Sequence, residues 1–255
     1  MNEKKGKCFS FINQGQRNES DFYQTPIPLL KLFLDVFKIK DNSVIWEPAD
    51  GSGQISNYLY NNYKNNKIIT SDLEDNFLYQ PITKKVGYII TNPPFNLANK
   101  FILKSRAHCE NSFAMLLPLS YLQGIERYNT IFNNPYDALD EKGKIFKLKY
   151  SFGLKYVYTF TRYPLLHELI RPDNKFATGM QAYSWFIFEK GFLGSFFGTW
   201  LNCHDYVVNQ DDKQCKSCAY TKYIDKKLVK CILFQVNVPN WFLCSAWRQI
   251  KKIKK

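Results

Sequence analysis

Residues 44–53 read Val-Ile-Trp-Glu-Pro-Ala-Asp-Gly-Ser-Gly. The three apolar residues have the length of a buried strand, and Glu47 follows them directly. Gly51 and Gly53 then allow a tight turn in which the backbone can approach a ligand closely. A helical pattern begins at once and continues over residues 54–63. This order of strand, turn and helix predicts the first unit of a doubly wound α/β fold.

Strands and helices alternate on both sides of this turn. Upstream, Pro26 and Pro28 open a predicted helix whose apolar stripe runs from Leu29 to Phe37 and includes Val36. Alternation of this kind is typical of a parallel sheet that is covered on both faces. The other predicted elements are strands at 67–70 and 86–91, a helix at 97–109, and strands at 112–117, 155–160 and 182–189. The last two strands read as an antiparallel hairpin at the sheet edge, so the predicted fold is Rossmann-like and mostly parallel.

Composition divides the chain into three parts. Residues 1–20 are rich in Lys, Asn, Gln and Gly and predict a flexible arm, and residues 21–191 hold the α/β domain. Residues 192–255 form a basic extension with five of the seven cysteines. No leader-like apolar segment or membrane-length stretch is present, so we expect a cytoplasmic protein with no membrane partner. In that compartment cysteines are free thiols or metal ligands more often than disulfides.

The chain is strongly basic. It has 35 lysines and arginines against 22 acidic residues, which gives a formal net charge of +13, and 17% of its residues are aromatic. Such an excess is typical of proteins that neutralise phosphates. A solubility effect and attraction to a membrane surface are the alternatives. The many aromatic residues either offer stacking surfaces for bases or simply form an aromatic-rich core.

The glycine turn indicates what kind of ligand it would hold. It lacks the full Gly-x-Gly-x-x-Gly spacing of a pyrophosphate site and the Lys-Ser/Thr of a phosphate loop. The predicted ligand is therefore a nucleoside without a phosphate chain, and an ordinary turn between a strand and a helix is the alternative. Asp72 ends the next strand, about 20 residues on, where a carboxylate accepts hydrogen bonds from ribose hydroxyls. Capping of a helix is the alternative role for Asp72.

The sharpest motif is Asn92-Pro93-Pro94-Phe95, directly after an apolar strand. Its two prolines fix the backbone at the carboxyl end of the strand, where open α/β sheets bind ligands. A rigid structural turn is the alternative reading.

With these motifs the chain resembles the amino-methyltransferase family that acts on adenine N6 or cytosine N4. The resemblance covers residues 21–190: residues 21–26 look like its first cofactor motif, and residues 75–78 look like the segment near the cofactor adenine. Phage and prophage adenine-N6 methyltransferases look especially similar at residues 117–119, at Arg127 and at residues 182–186. The resemblance implies S-adenosylmethionine as cofactor, bound by Tyr23, Thr25, Pro26, Glu47, Pro48, Ala49, Gly51, Gly53, Asp72, Asp75 and Asn92.

The same resemblance implies a catalytic role for Asn92, Pro93, Pro94 and Phe95. The side-chain carbonyl of Asn92 and the backbone carbonyl of Pro93 would accept the two N–H bonds of the base amine and aim its lone pair at the methyl group. Phe95 would stack on the base, which must be flipped out of double-stranded DNA. N4-cytosine, RNA and a glutamine amide remain alternative substrates. A catalytically silent DNA-binding module is an alternative of another class.

Two further predictions concern the rest of the chain. Arg127, Arg162, Arg171 and Lys175 are candidate DNA contacts, although a solvated basic loop explains the last three equally well. Cys203, His204, Cys215 and Cys218 are a candidate zinc site. Cys-x-x-Cys is a known half-site, but an adjacent Cys-His pair is an unusual second half.

Overall fold

The computed structural model describes residues 25–72, 77–161 and 181–203, together with the backbone of 221–223, 228–231 and 236–239. The α-helices are α1 (Ile27–Val36), α2 (Gln54–Asn62), α3 (Ala98–His108) and the single turn α4 (Ile125–Arg127). The strands are β1 (Val44–Glu47), β2 (Lys67–Thr70), β3 (Val86–Thr91), β4 (Cys109–Pro118), β5 (Asp137–Leu139), β6 (Ile145–Lys147), β7 (Phe152–Phe160), β8 (Tyr183–Lys190), β9 (Phe197–Leu201), β10 (Thr221–Tyr223), β11 (Leu228–Cys231) and β12 (Val236–Pro239).

Seven strands form the main sheet in the order β2-β1-β3-β4-β8-β7-β9. The pairs within β2-β1-β3-β4 are parallel, and β8 runs antiparallel to both β4 and β7. The chain leaves β1 for β2 on one side and returns to β3 on the other. The carboxyl ends of β1 and β3 therefore flank the point where the strand order reverses, which is where open α/β sheets bind ligands.

Helices cover both faces of this sheet. Leu30 and Phe33 of α1 and Leu59 of α2 are fully buried on one side, which we call the α1 face. Phe101 and Ile102 of α3 are buried on the other side, the α3 face. Strand β8 serves both cores by alternation, with Trp185 and Ile187 on the α1 face and Phe186 and Phe188 on the α3 face. The stacked rings of Phe33 and Trp185 lie with their centroids 4.2 Å apart.

Helix α3 carries a buried arginine that stabilises the segment after it and a buried histidine in the core. Arg106 is 1% exposed and donates hydrogen bonds to the backbone carbonyls of Asn134, Asp137 and Ile131 at 2.9, 3.0 and 2.7 Å. Burial lowers the pKa of Arg106 to about 10, so it remains a cation at neutral pH. His108 lies between rings of the same core, and burial lowers its pKa to about 4. Both side chains act in the architecture of the fold.

The fold class predicted from the sequence is confirmed: the sheet is mostly parallel, has helices on both faces and carries the antiparallel hairpin β7–β8. Two details are wrong. Val36 lies outside the core with 42% of its surface exposed, because α1 ends there. The hairpin is also not the sheet edge, since β9 pairs parallel with β7 and extends the sheet beyond residue 191. Four of the five β9 residues are exposed, so β9 lacks the alternating pattern that marks a half-buried strand.

The extension predicted at 192–255 contains a three-stranded antiparallel sheet, β10-β11-β12, in its described part. A small two-stranded sheet, β5–β6, stands between β4 and β7 along the chain. Within the ranges that the structure describes, no helix is long and apolar enough to cross a membrane.

Candidate active site

The turn after β1 is built around two glycines in the left-handed region. Gly51 has φ 52° and Gly53 has φ 76°, where a side chain is strained. The Gly53 amide donates to the Asp50 carbonyl at 2.8 Å and closes the turn, and Gly53 is the N-cap of α2. Glycine has no side chain with which to cap the helix, and the Asp50 carboxylate accepts the Ser56 amide and hydroxyl of the first turn instead. Asp50 is thereby held at the start of α2, beside the backbone of the glycine turn.

Backbone hydrogen bonds join this turn to the end of β2. The Ser71 amide donates to the Glu47 carbonyl and the Asp50 amide donates to the Ser71 carbonyl, each at 3.0 Å. The Trp46 indole donates to the Ser71 hydroxyl at 3.0 Å. Asp72, the next residue, is thereby placed beside the glycine turn.

Three carboxyl groups meet at this point. Glu47 is fully buried, and its Oε1 accepts the Ala49 amide at 2.9 Å. Burial raises the pKa of Glu47 well above its usual range, the charges of Asp50 and Asp72 add to the rise, and the Thr91 hydroxyl and Ala49 amide oppose it. Burial also raises the pKa of Asp50, hydrogen bonds from Ser56 oppose the rise, and the charge of Asp72 adds to it. Carboxyl groups held together in this way favour a cationic ligand, because its positive charge would offset both the cost of burying their negative charges and the repulsion between them.

Residues 92–95, which we call the Asn92 loop, follow the neighbouring strand β3. Thr91, the last residue of β3, is fully buried and its hydroxyl lies beside the Glu47 carboxyl. Asn92 follows at the carboxyl end of β3, next to β1 in the sheet. Pro94 has φ −54° and accepts the Leu97 amide at 2.9 Å, which holds Phe95 in a single 3-10 turn ahead of α3. The loop is thus adjacent to the acidic end of the turn after β1.

Phe95 is half-buried between two environments. Its ring lies 5.7 Å from the Tyr183 ring, centroid to centroid, at an interplanar angle of 35°. Phe95 also lines an open cavity of about 670 Å³. The other residues that line the cavity are Asn96, Asn99, Lys100, Pro118, Ser120, Tyr121, Glu126 and Arg127. The cavity is large enough for a nucleoside beside the Asn92 loop.

Arg127 forms part of one wall of the cavity. Its Nη1 donates to the Ser120 carbonyl at 3.2 Å, and its guanidinium lies 4.9 Å from the centroid of the Tyr121 ring. Gly124 has φ 115° and permits this packing, because a Cβ there would lie 3.3 Å from the Arg127 guanidinium. The structure therefore places the predicted DNA contact Arg127 in the same cavity as Phe95.

The remaining predicted cofactor residues are placed as follows. Pro26 is the N-cap of α1, and Thr25 is 3% exposed with a buried hydroxyl that has no partner among the described residues. Pro48 is buried and Ala49 half-buried in the turn after Glu47. Tyr23, Asp75, Arg162, Arg171 and Lys175 lie outside the described residues, so their roles stay predictions.

The zinc prediction also stays open. Cys203 is a buried free cysteine whose amide donates to the Thr161 hydroxyl at 2.9 Å. His204, Cys215 and Cys218 lie outside the described residues. In the portion of the chain that is described, no group of three His, Cys, Asp or Glu side chains is placed to hold a metal.

Sequence reasoning misses three residues of the site. Asp50 joins the carboxyl cluster because of the register in which β1 pairs with β2. Its position in the glycine turn, between Ala49 and Gly51, is the feature of the sequence that could have indicated this role. Tyr183 contacts Phe95 from a strand about 90 residues downstream. Tyr121 is 5% exposed and donates to the side chain of Asn99 at the cavity wall. The positions of Tyr183 and Tyr121 depend on strand order, which the local pattern does not contain.

The site belongs to a Rossmann-like α/β protein with its ligand crevice at the switch between β1 and β3. No protein-family model matches the chain. A search of curated proteins also finds no match.

Solved structures with a similar chain path are found at low identity. One, assigned as a modification subunit of a type I restriction enzyme from Vibrio vulnificus YJ016, has 13% identity and a TM-score of 0.47; the match covers 74% of this chain and 49% of that one. A type I restriction-modification methyltransferase subunit from Streptococcus thermophilus has 13% identity and a TM-score of 0.43, with 69% and 47% covered. A dimethyladenosine transferase from Plasmodium falciparum has 11% identity and a TM-score of 0.38, with 66% and 63% covered. At these levels the neighbours carry no argument about activity, so the function is argued from the site.

Proposed function

We propose that the protein transfers a methyl group from S-adenosylmethionine to the N6 amine of adenine in DNA. One observation carries the proposal: the carboxyl-rich glycine turn after β1 and the Asn92 loop after β3 are adjacent at the switch point of the sheet. A cationic nucleoside and a base amine would meet there. The cavity that Phe95 lines is large enough to receive the base.

The residues of the turn fit this cofactor. S-adenosylmethionine carries an amino group and a sulfonium, and the buried Glu47 carboxyl next to Asp50 and Asp72 favours such cations. Asp72 at the end of β2 suits the ribose hydroxyls. The left-handed glycines add no side chain of their own to the turn, so a ligand can approach its backbone closely. The fit rests on charge and shape at a site that has no phosphate-binding spacing.

The chain's own residues position the acceptor amine. When bound, the cofactor supplies an activated methyl group, so no strong base is needed before transfer. Asn92 accepts one N–H of the base amine through its side-chain carbonyl, and the Pro93 carbonyl accepts the other. These bonds strengthen as the nitrogen becomes pyramidal, and they act mainly in the transition state. Phe95 holds the base face, with Tyr183 packed against its ring.

The charge distribution supports nucleic acid as the substrate. The cofactor side of the site is acidic, whereas the cavity carries Lys100 and Arg127 with one acid, Glu126. The whole chain has a formal charge of +13, which suits a polyanion and not a small neutral amide. The aromatic residue after the two prolines and the phage-like motifs favour adenine in DNA over cytosine N4, RNA or a glutamine amide.

Titration with S-adenosylmethionine tests the cofactor site. Calorimetry should detect one site in the wild-type chain, and Asp72→Ala should weaken it by about tenfold or more, because hydrogen bonds to a charged group are worth ~1.5–3 kcal/mol. Asp35→Ala is the matched control, since Asp35 is exposed on α1.

A second pair of variants separates ligand approach from backbone strain. Gly53→Ala and Gly143→Ala both place alanine at φ 76°, but only Gly53 lies at the proposed site. A Cβ at Gly53 would lie 2.8 Å from the Asn57 side-chain nitrogen, whereas a Cβ at Gly143 would meet nothing, so Gly53→Ala should lose more stability than Gly143→Ala. Only Gly53→Ala should also lose affinity for the cofactor. No binding by the wild-type chain would reject the enzyme and leave a silent DNA-binding module.

Because the pKa of Glu47 is raised, we expect cofactor affinity to depend on pH. The free protein retains the Glu47 proton to a pH well above the usual value of 4.5, because burial opposes the charge. A cationic ligand binds the carboxylate form, so affinity should rise as the pH rises toward and through the raised pKa. The slope below that pKa should approach about tenfold per pH unit. Calorimetry across pH measures it, with Asp50→Asn and Asp72→Asn as variants that remove the other two charges of the site.

The Glu47 carboxyl should affect the stability of the cofactor-free protein in the opposite direction, lowering it as the pH rises. Since the folded state holds the Glu47 proton more tightly than the unfolded state, stability falls as the pH rises from about 4.5 through the raised folded pKa. Glu47→Gln removes this loss and should raise the Tm of the cofactor-free protein at neutral pH. It should also flatten the pH dependence of binding. A lower Tm together with an unchanged pH profile would refute the role of the buried carboxyl.

DNA binding should depend steeply on salt. Each phosphate that Lys or Arg neutralises releases counterions, so log affinity should fall linearly with log salt at a slope of about −0.9 per contact. Fluorescence anisotropy over a salt series measures the slope. Arg127→Gln should make the slope shallower by about 0.9, the value expected for the loss of one phosphate contact. A flat dependence would contradict phosphate-dominated binding.

A further inference from the structure

Strand β9 at the edge of the sheet presents an indole to solvent. Trp200 has 71% of its surface exposed. A single exposed aromatic residue is ordinary on a protein surface, so its position decides whether it has a role.

The sheet register fixes the position of Trp200. Trp200 pairs with Thr159 on β7, Thr159 pairs with Ser184 on β8, and Ser184 pairs with Leu117 on β4. Residues paired in this way project from the same face, and Leu117 belongs to the core of the α3 face. Neighbouring strands lie ~4.8 Å apart, so the row from Leu117 to Trp200 spans ~14 Å.

The cavity beside the Asn92 loop lies on this face and at this end of the sheet. Pro118, which follows Leu117, lines the cavity. Tyr121 also lines it and packs edge-on against Phe186 of the α3 face at 5.7 Å. The hydroxyls of Ser184 and Thr159, 3.0 Å apart, stand between the cavity and Trp200. Ser184 is fully buried, so the row is no surface path, but it places the cavity and the exposed indole on the same face and at the same end of the sheet.

We propose that Trp200 stacks on a nucleobase of the substrate strand, outside the base held in the cavity. This inference rests on the proposed function and adds a second contact to the same substrate. The row of ~14 Å separates Trp200 from the strand end beside the cavity, so the base that it stacks on is a different one from the target base. The chain as a whole has a formal charge of +13, which suits a polyanionic substrate, and an indole stacks on any base because every base has a π face.

Phe197 on the same strand provides a matched control. It is 58% exposed, but it pairs with Tyr156 and projects on the α1 face, away from the cavity. Trp200→Ala and Phe197→Ala therefore remove exposed aromatic rings from opposite faces of one edge strand. Trp200→Phe retains a stacking ring at the proposed position.

The test measures the affinity of the full chain for a short fluorescein-labelled single strand and for its duplex, with cofactor affinity in parallel. Trp200→Ala should weaken single-strand binding about tenfold, in line with the loss of one stacked base, and should weaken duplex binding less. Trp200→Phe should retain most of the affinity, and Phe197→Ala should stay within about twofold of the wild type. Cofactor affinity should not change in any of the three variants.

Three results would overturn the proposal. The first is unchanged strand binding by Trp200→Ala, and the second is an equal loss in Phe197→Ala. The third is a change in oligomeric state of Trp200→Ala by sedimentation, which would make the edge an interface between two copies. Failure of the wild-type chain to bind S-adenosylmethionine would count against the proposed enzyme instead, and a strand affinity that depends on Trp200 would still establish the stacking surface.

Discussion

Replacement of Asn92 by alanine is expected to lower kcat by about 10²–10³, with little change in affinity for the cofactor. The lost hydrogen bond to the base amine matters most when the nitrogen becomes pyramidal, so the effect belongs to the transition state. Single-turnover methyl transfer to duplex DNA measures the rate, and calorimetry measures cofactor affinity on the same preparation.

Two variants make this result specific. Asn92→Asp retains a carbonyl oxygen at the same place and should retain part of the activity. Asn62→Ala removes an exposed asparagine at the end of α2 and should behave like the wild type. A near wild-type rate for Asn92→Ala would mean that the loop is a structural turn only.

Replacement of Phe95 by alanine is expected to affect capture of the base as well as the rate. The variant loses a stacking face worth ~1–3 kcal/mol, so the KM for DNA should rise about tenfold while kcat falls. Phe95 also packs on Tyr183, so part of the loss is expected as lower stability, to be measured by thermal unfolding. Steady-state kinetics at saturating cofactor separates KM from kcat.

Phe95→Trp should keep part of the activity because a ring remains beside the cavity. Tyr150→Ala is the matched control, since Tyr150 is 50% exposed and precedes β7 at the opposite end of the sheet. An unchanged KM in Phe95→Ala, with only kcat reduced, would show that the ring does not hold the base.

Local chemistry explains why the two central motifs were predictable. The glycines of the turn are required by left-handed backbone angles, and the prolines of the Asn92 loop fix their own φ. Each motif follows an apolar strand, so both were expected at the carboxyl edge of a parallel sheet. The structure brings them together because β1 and β3 are neighbours.

Other parts of the site depend on contacts between distant segments. Asp50 enters the carboxyl cluster only because its amide bonds to Ser71 at the end of β2. Tyr183 reaches Phe95 only because β8 lies between β4 and β7. The exposed residues of β9 give no periodic signal, so neither its place in the sheet nor the position of Trp200 follows from the local pattern.

Mass spectrometry of nucleosides from DNA incubated with the purified chain and S-adenosylmethionine tests the central claim most directly. The wild-type chain is predicted to produce N6-methyladenine, and the Asn92→Ala variant is predicted to produce almost none in the same time. N4-methylcytosine would contradict the choice of substrate while retaining the chemistry of the loop. DNA without any methylated base, under conditions in which the chain binds both the cofactor and DNA, would contradict the account.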